Sequence, residues 1–227
     1  NIAGFRIGRD GAPTPIPGSV RPLGSAAAGP AQIQFTPDGR ALVVTEKATS
    51  TITTYTVDAD GLPGGPNTQA SAGETPFGFS FNQRGDLVVS EAAGGAPGAS
   101  SASTYRVARD GALELIAGAV PTTQSAACWI AISQNGAFAY TTNTGSGTVS
   151  SLAIGAGGKL TLVDPVAGLT GPGTRPQDAA FTPGGRFLYV RNDAGTIGAF
   201  RADGSGGLVH LGDFGPLPAG ANGIVAR

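Results

Sequence analysis

Methionine is absent from this chain, and cysteine, histidine and tryptophan occur once each. A single thiol, Cys128, excludes an intrachain disulfide framework. No His or Cys residues stand at metal-ligand spacing, and the acidic residues are too scattered for a calcium loop, so neither a metal nor a cofactor is expected. Charged residues make up only 13 %, with two lysines, Lys47 and Lys159. At a net charge of −1 and with no basic run, the chain lacks the electrostatic footprint that nucleic acid or an anionic membrane requires. No apolar run approaches the ~20 residues that span a bilayer. The Gly-x-Ser-x-Gly phrase of a nucleophile elbow is missing, as is any Asn-x-Ser/Thr acceptor. The chain starts at Asn1 with no visible signal peptide, which together with the missing methionine suggests a processed or truncated chain and leaves its compartment open.

Glycine and proline are plentiful, at 38 and 17 of 227 residues, beside 40 % hydrophobic residues. That mixture indicates many short strands joined by tight turns rather than disorder. One phrase organises the sequence: Phe181-Thr-Pro-Gly-Gly185-Arg, followed by the apolar run Phe187 to Val190. Proline presets φ and glycine takes positive φ, so the phrase predicts a strand end, a tight turn and a buried strand. It recurs at Phe35 to Glu46, Phe81 to Glu91 and Ile132 to Asn143. The turn glycines Gly39, Gly85, Gly136 and Gly185 are 46, 51 and 49 residues apart. A repeat of this length holding several strands is the mark of a propeller blade.

Each repeat reads as four strands, A to D from the axis outward. The A strand precedes the turn, with a clean period of two in Phe77, Phe79 and Phe81. The B strand follows it. The C strand alternates, as in Thr51 to Val57 and Thr148 to Ile154, and ends in a hairpin turn such as Asp60-Gly61 or Asp110-Gly111. Gly157-Gly158-Lys159 belongs to such a hairpin and lacks the Ser or Thr of a phosphate loop. The D strand is clearest at Leu113 to Ile116, Leu160 to Val163 and Leu208 to Leu211. The expected fold is all-β: a propeller of four-stranded antiparallel blades, four complete and a fifth split between the chain ends. A single domain covers residues 1–227. Residues 1–23 hold the C and D strands of the split blade, the full blades occupy 24–70, 71–119, 120–169 and 170–219, and residues 220–227 supply the closing A strand.

The phrase Phe-Thr-Pro-Asp-Gly-Arg, the apolar strand after it, Thr-Ile-x-x-Tyr and Asp-Gly together resemble the lactonase-type β-propeller family, which includes 6-phosphogluconolactonases and carboxymuconate cyclases. The resemblance runs over residues 2 to 226. It implies seven blades, a C-terminus that supplies one strand of the first blade, and hydrolysis of a lactone. It also implies that about two and a half blades lie outside this chain on the N-terminal side. A second copy of the chain or a complementary fragment would then cover the open flanks.

Propellers bind ligands around their axis, and the B-strand ends here are Thr45-Glu46-Lys47, Ser90-Glu91, Thr142-Asn143 and Arg191-Asn192. The catalytic candidates are Glu46 and Glu91, which would orient or deprotonate water, and Arg191, which would stabilise an oxyanion or hold a carboxylate. Lys47, Asn143 and Asn192 are ligand-binding candidates at the same level. The other reading of all six is structural: caps on loops, or links to neighbouring blades. The resemblance implies a set of Arg, Glu and His; Glu and Arg are matched here and His is not. His210 falls on an outer strand. Trp129 and Asp178 lie on inner strands, where Trp129 either lines the channel or packs in the core. Asp178 either faces the axis or pairs with Arg175. Cys128 is expected to be a small buried hydrophobe. The expected partner is a small-molecule substrate. A non-catalytic propeller that binds a small molecule or a protein is the competing functional expectation.

Overall fold

The computed structural model describes residues 1–226. A two-stranded hairpin, β1 (Phe5–Ile7) and β2 (Pro13–Pro15), precedes four antiparallel sheets. The first sheet is β3 (Pro30–Phe35), β4 (Ala41–Glu46), β5 (Thr51–Thr56) and β6 (Asn67–Ala70). The second is β7 (Pro76–Phe81), β8 (Leu87–Glu91), β9 (Ser101–Val107) and β10 (Leu113–Pro121). The third is β11 (Ala127–Ile132), β12 (Phe138–Asn143), β13 (Thr148–Ile154) and β14 (Leu160–Leu169). The fourth is β15 (Pro176–Phe181), β16 (Phe187–Asn192), β17 (Thr196–Ala202) and β18 (Leu208–Phe214). Each sheet pairs its strands in chain order, as a propeller blade does, and the helical content among the described residues is two three-residue 3-10 turns.

The repeated turn forms as its chemistry dictates. Gly39 donates its N–H to the Thr36 carbonyl at 2.8 Å, and Gly185 donates to that of Thr182 at 2.7 Å, both with φ near +70°. The B strands β4 and β8 are buried on both faces, β8 between two blades and β4 between the second blade and the N-terminal segment at Ile2. The core therefore lies between blades. Val43 and Ile52 of the first blade pack on Phe79, Leu87, Val89 and Tyr105 of the second. Val88 and Ala102 of the second meet Ile130, Ala139 and Leu152 of the third, and Tyr140 and Val149 of the third meet Leu188, Val190 and Phe200 of the fourth. At the N-terminal end Ile2 packs on Leu42, Val44 and Tyr55.

The split blade departs from expectation. Its C and D strands form the β1–β2 hairpin, but the closing A strand expected over 220–227 forms no ladder in its described part. With no B strand beside it, a strand there has nothing to pair with, and Gly223 turns to φ +80°. The segment nevertheless lies against the fourth blade's inner strand, where Ile224 donates its N–H to Asp178 Oδ2 at 2.9 Å. The first blade's D strand, Asn67–Ala70, carries almost no apolar residue and so gives little sequence signal.

The cores enclose three phenols, Tyr55, Tyr105 and Tyr140, and burial raises the pKa of each. Tyr55 donates its O–H to the Pro22 carbonyl at 2.7 Å, and burial, helped by the nearby Glu46 charge, pushes its pKa to about 12. Burial does the same to Tyr140, with Asp203 adding to it. A raised folded pKa means the native state keeps protons that the unfolded chain releases above pH ~10, so this stability is present below pH ~10 and is lost as pH rises towards 12. Alkaline titration followed at 295 nm should show Tyr55 and Tyr140 ionising late, together with loss of structure. Early, reversible ionisation of all four tyrosines would contradict the packing.

Candidate functional site

The inner strands meet at the axis, and each carries a β-bulge near its start. Registers jump between Pro30 and Gln32, Pro76 and Phe79, Ala127 and Trp129, and Pro176 and Asp178. A bulge sets two residues against one and re-aims a side chain. Here the displaced residues are Ala31, Phe77, Cys128 and Gln177, and all four line a mouth at the axis of about 430 Å³. Trp129, Asp178, Asn222 and Gly223 complete its lining. The B-strand residue opposite each bulge holds it in place. Thr45 Oγ1 accepts from the Gln32 N–H at 3.2 Å and donates to the Phe77 carbonyl of the next blade at 2.6 Å. Ser90 Oγ lies 2.9 Å from the Gly78 carbonyl and 3.1 Å from that of Cys128. Thr142 Oγ1 accepts from the Trp129 N–H at 3.1 Å.

The fourth blade has Arg191 at this position. Its Nη1 donates to Gln177 Oε1 and its Nη2 to the Ala221 carbonyl, with Asp193 at 3.5 Å. Arg191 is thus buried behind the mouth, where it holds two lining segments rather than presenting a free guanidinium to the cavity.

The strand-end residues do not form a ring of ligands at the axis. Glu46, Glu91, Asn143 and Asn192 are fully buried, and each faces a Ser or Thr directly across the B–C ladder. Glu46 accepts from Thr51 Oγ1 at 3.0 Å and the Gly24 N–H at 2.9 Å. Glu91 accepts from the hydroxyls of Ser71, Ser101 and Ser103 and from the Gly73 N–H. Asn143 Nδ2 donates to Thr148 and Ser150, and Asn192 Nδ2 to Thr196. One site in the blade is filled four times by a residue that ties the C strand, and in the first two blades a preceding loop, to the B strand. A period-two strand places the final residue on one face and the penultimate residue on the other, which is why the neighbours of Glu46 and Arg191 reach different partners.

What faces the mouth is sparser. Lys47 follows Glu46 and places its Nζ 5.3 Å from the centre of the Phe77 ring. Asp178 accepts from the Ala179 N–H at 2.7 Å and from Ile224, and burial raises its pKa against the lowering effect of those bonds and of Arg191. Arg175 pairs with Asp193 at 3.5 Å, so the ion pair expected between Arg175 and Asp178 is not formed. Cys128 is only half-buried, not the buried hydrophobe expected, because the bulge turns it out of the core. Burial pushes its thiol pKa up, against the lowering effect of Thr144, Lys47 and Arg175, and the Asp178 charge adds to the rise. A thiol held protonated is a poor nucleophile. Trp129 lines the mouth as well as a second cavity along the inner strands. His210 sits exposed on β18, 3.3 Å from Asp213 and away from the mouth. The bulge position carried no separate sequence signal: its residues are Ala, Phe, Cys and Gln, and only the register of paired strands reveals their equivalence.

An all-β arc of four-stranded blades whose inner strands meet at a mouth of about 430 Å³ defines the chain as part of a β-propeller. The family model for the lactonase seven-bladed β-propellers matches residues 16–94 and 91–221, and the chain belongs to that family. Among solved structures it is similar to a periplasmic gluconolactonase of Pseudomonas aeruginosa, with 20 % identity and a TM-score of 0.73 over 96 % of this chain and 65 % of the other. A Lactobacillus plantarum protein matches with 22 % identity and a TM-score of 0.76 over 95 % of this chain and 65 % of the other. A Bacteroides fragilis protein provisionally named a 6-phosphogluconolactonase matches with 24 % identity and a TM-score of 0.71 over 93 % and 64 %. The chain thus spans about two-thirds of the length of the solved structures it resembles. No curated protein sequence matches it.

The saturated bonding of Glu91 makes a direct test. Replacing Glu91 by Ala would orphan three hydroxyls and an N–H around a buried position, at a cost on the order of 3–5 kcal/mol. Thermal unfolding should shift down by roughly 10 °C for a chain of this size. A shift under about 2 °C would show that the carboxylate is not the blade's internal tie.

Proposed function

We propose that the chain is part of a lactone hydrolase acting on a sugar lactone or a muconolactone-type ester at the axial mouth. The carrying observation is the convergence of four bulged inner strands on a mouth whose lining holds one carboxylate, Asp178. In this reading Asp178, ionised, accepts a proton from water as the water oxygen bonds to the lactone carbonyl carbon. Lys47 supplies positive charge beside the mouth for the developing oxyanion. The ring C–O bond then breaks, and the departing alkoxide takes the proton that Asp178 received, which gives the open hydroxy acid and returns Asp178 to its carboxylate. Arg191 acts through Gln177 and the Ala221 segment, so its role is positioning. Glu46 and Glu91 are scaffold. Family membership supports hydrolysis, and the name of the gluconolactonase that the chain resembles suggests the substrate class.

The competing reading, a non-catalytic binding propeller, draws on one observation: the strand-end carboxylates are spent on bonds within their blades. Hydrolysis of δ-lactones separates the two. Asp178→Asn should abolish turnover, whereas Glu91→Gln should keep the rate per folded molecule. Because the folded pKa of Asp178 is raised, its ionised form costs stability: native stability falls as pH rises from the ordinary carboxylate range through the raised value, while base activity grows. Asp178→Asn should therefore leave the melting temperature at neutral pH within a few degrees of the parent. Equal turnover in the parent and Asp178→Asn, or none in either, would remove the hydrolase reading.

The open flanks also call for an occupant. Beside the N-terminal hairpin is an apolar cavity of about 480 Å³, with Ile33 and Phe35 half-exposed on the first blade, and Phe214 stands exposed on the fourth. We assign these faces to further blades of the same ring, since the family has seven and this chain holds four with part of a fifth. A second copy overfills a seven-bladed ring. A complementary piece of two to three lactonase blades should form a 1:1 complex by light scattering and suppress dye binding to the flanks. A 22.3 kDa monomer that binds no apolar dye and unfolds in one sharp transition would show instead that the flanks close on themselves.

A further inference from the structure

We propose that Trp129 determines substrate specificity at the mouth, selecting polyhydroxylated rings by presenting an aromatic platform to their C–H face. This rests on the mouth being the substrate site, but not on hydrolysis. Trp129 follows the bulged Cys128, and its indole is seated on Gly78 of the neighbouring inner strand: a Cβ added to Gly78 would lie 2.9 Å from indole Cδ2 and 2.8 Å from the Trp129 Cα. Only glycine leaves room for the ring at that crossing. Trp129 lines both the mouth and a second cavity of about 320 Å³ along the inner strands, and the residue is partly exposed. In this proposal it is the floor on which a ligand entering the mouth rests.

The groups around that floor match a ring bearing hydroxyls. Gln177 has its Oε1 engaged by Arg191, which leaves its amide N–H groups as donors. Asn222 has Oδ1 engaged by the Gly223 N–H and likewise keeps its amide donors. Asp178 accepts two backbone N–H groups and has acceptor capacity left. Two amide donors and one carboxylate acceptor beside a flat apolar surface suit vicinal hydroxyls above a hydrocarbon face. A ring without hydroxyls would leave these polar groups unpaired on binding, which is costly.

Trp129 is the only tryptophan, so its fluorescence reports on this site alone. Titration of the 227-residue chain with 1,5-anhydroglucitol, a stable polyhydroxylated ring, should give a saturable change in emission, and tetrahydropyran should give none. In kinetics, Trp129→Ala should raise KM for gluconolactone about 2- to 10-fold, with kcat and the KM for δ-valerolactone little changed, and Trp129→Phe should fall between. Flat emission with anhydroglucitol while gluconolactone is hydrolysed would overturn the proposal, as would equal losses for both lactones in Trp129→Ala. Binding of anhydroglucitol without hydrolysis of either lactone would uphold Trp129 and remove the hydrolase reading. Neither binding nor hydrolysis would remove both. If Trp129→Ala fails to fold, the titration of the parent chain decides.

Discussion

The packing of one blade's face on the next is the constraint on which everything else in this molecule depends. A single four-stranded sheet here is too thin to bury its own apolar residues. Val43 needs Phe79 and Leu87, Val88 needs Ile130 and Leu152, and Tyr140 needs Leu188 and Phe200. Burying both faces of every B strand forces the blades to stand side by side around an axis. The radial arrangement then brings the inner strands together, and that convergence creates the mouth. Among the described residues no ladder of backbone hydrogen bonds joins neighbouring blades. Side chains bridge them instead: the Gln32 amide pairs with both the N–H and the carbonyl of Phe79, and Thr144 donates to the Pro176 carbonyl.

The same constraint separates scaffold from site. The most conspicuous charges in the sequence, Glu46 and Glu91, are buried and bonded to hydroxyls across their own ladders. The carboxylate placed there takes two donors at Glu46 and four at Glu91, and its complete burial within the blade keeps it from a ligand at the mouth. The residues at the mouth arise from bulges, where the ladder loses register and an inner strand must turn a side chain toward the axis. The chemically poised groups are accordingly few: Asp178 with its raised pKa, Lys47 against an aromatic ring, and Trp129 in the lining of the mouth.

Much of the fold was legible in the residues because its signals are local. Thr182-Pro183-Gly184-Gly185 makes a turn by its own backbone preferences, and Phe77, Phe79 and Phe81 alternate within six residues. The candidate site was legible only in part. Trp129 and Asp178, named from their inner-strand positions, line the mouth, and Lys47, named from its place after a strand end, stands over Phe77 beside it. Gln177, Phe77 and Asn222 were not found, and Arg191 and Glu91 were placed at the axis although their side chains are engaged elsewhere. The closing strand at the C-terminus kept its place beside Asp178 but not its ladder, since a strand needs a partner that sequence spacing cannot supply.

By itself the sequence determined the repeat, the turns, the four-strand blades and the order of the strands, all of which follow from short-range backbone and hydrophobic preferences. Tertiary structure alone decided which polar residues are bonded inside their own blades and which line the mouth. Whether a strand-end glutamate points into its own blade or into the axis depends on ladder register, on bulges one residue long and on the hydroxyls brought opposite by pairing. A one-residue change of register moves a side chain from one face to the other. That information resides in contacts between segments tens of residues apart, and it exists only once the blades have packed.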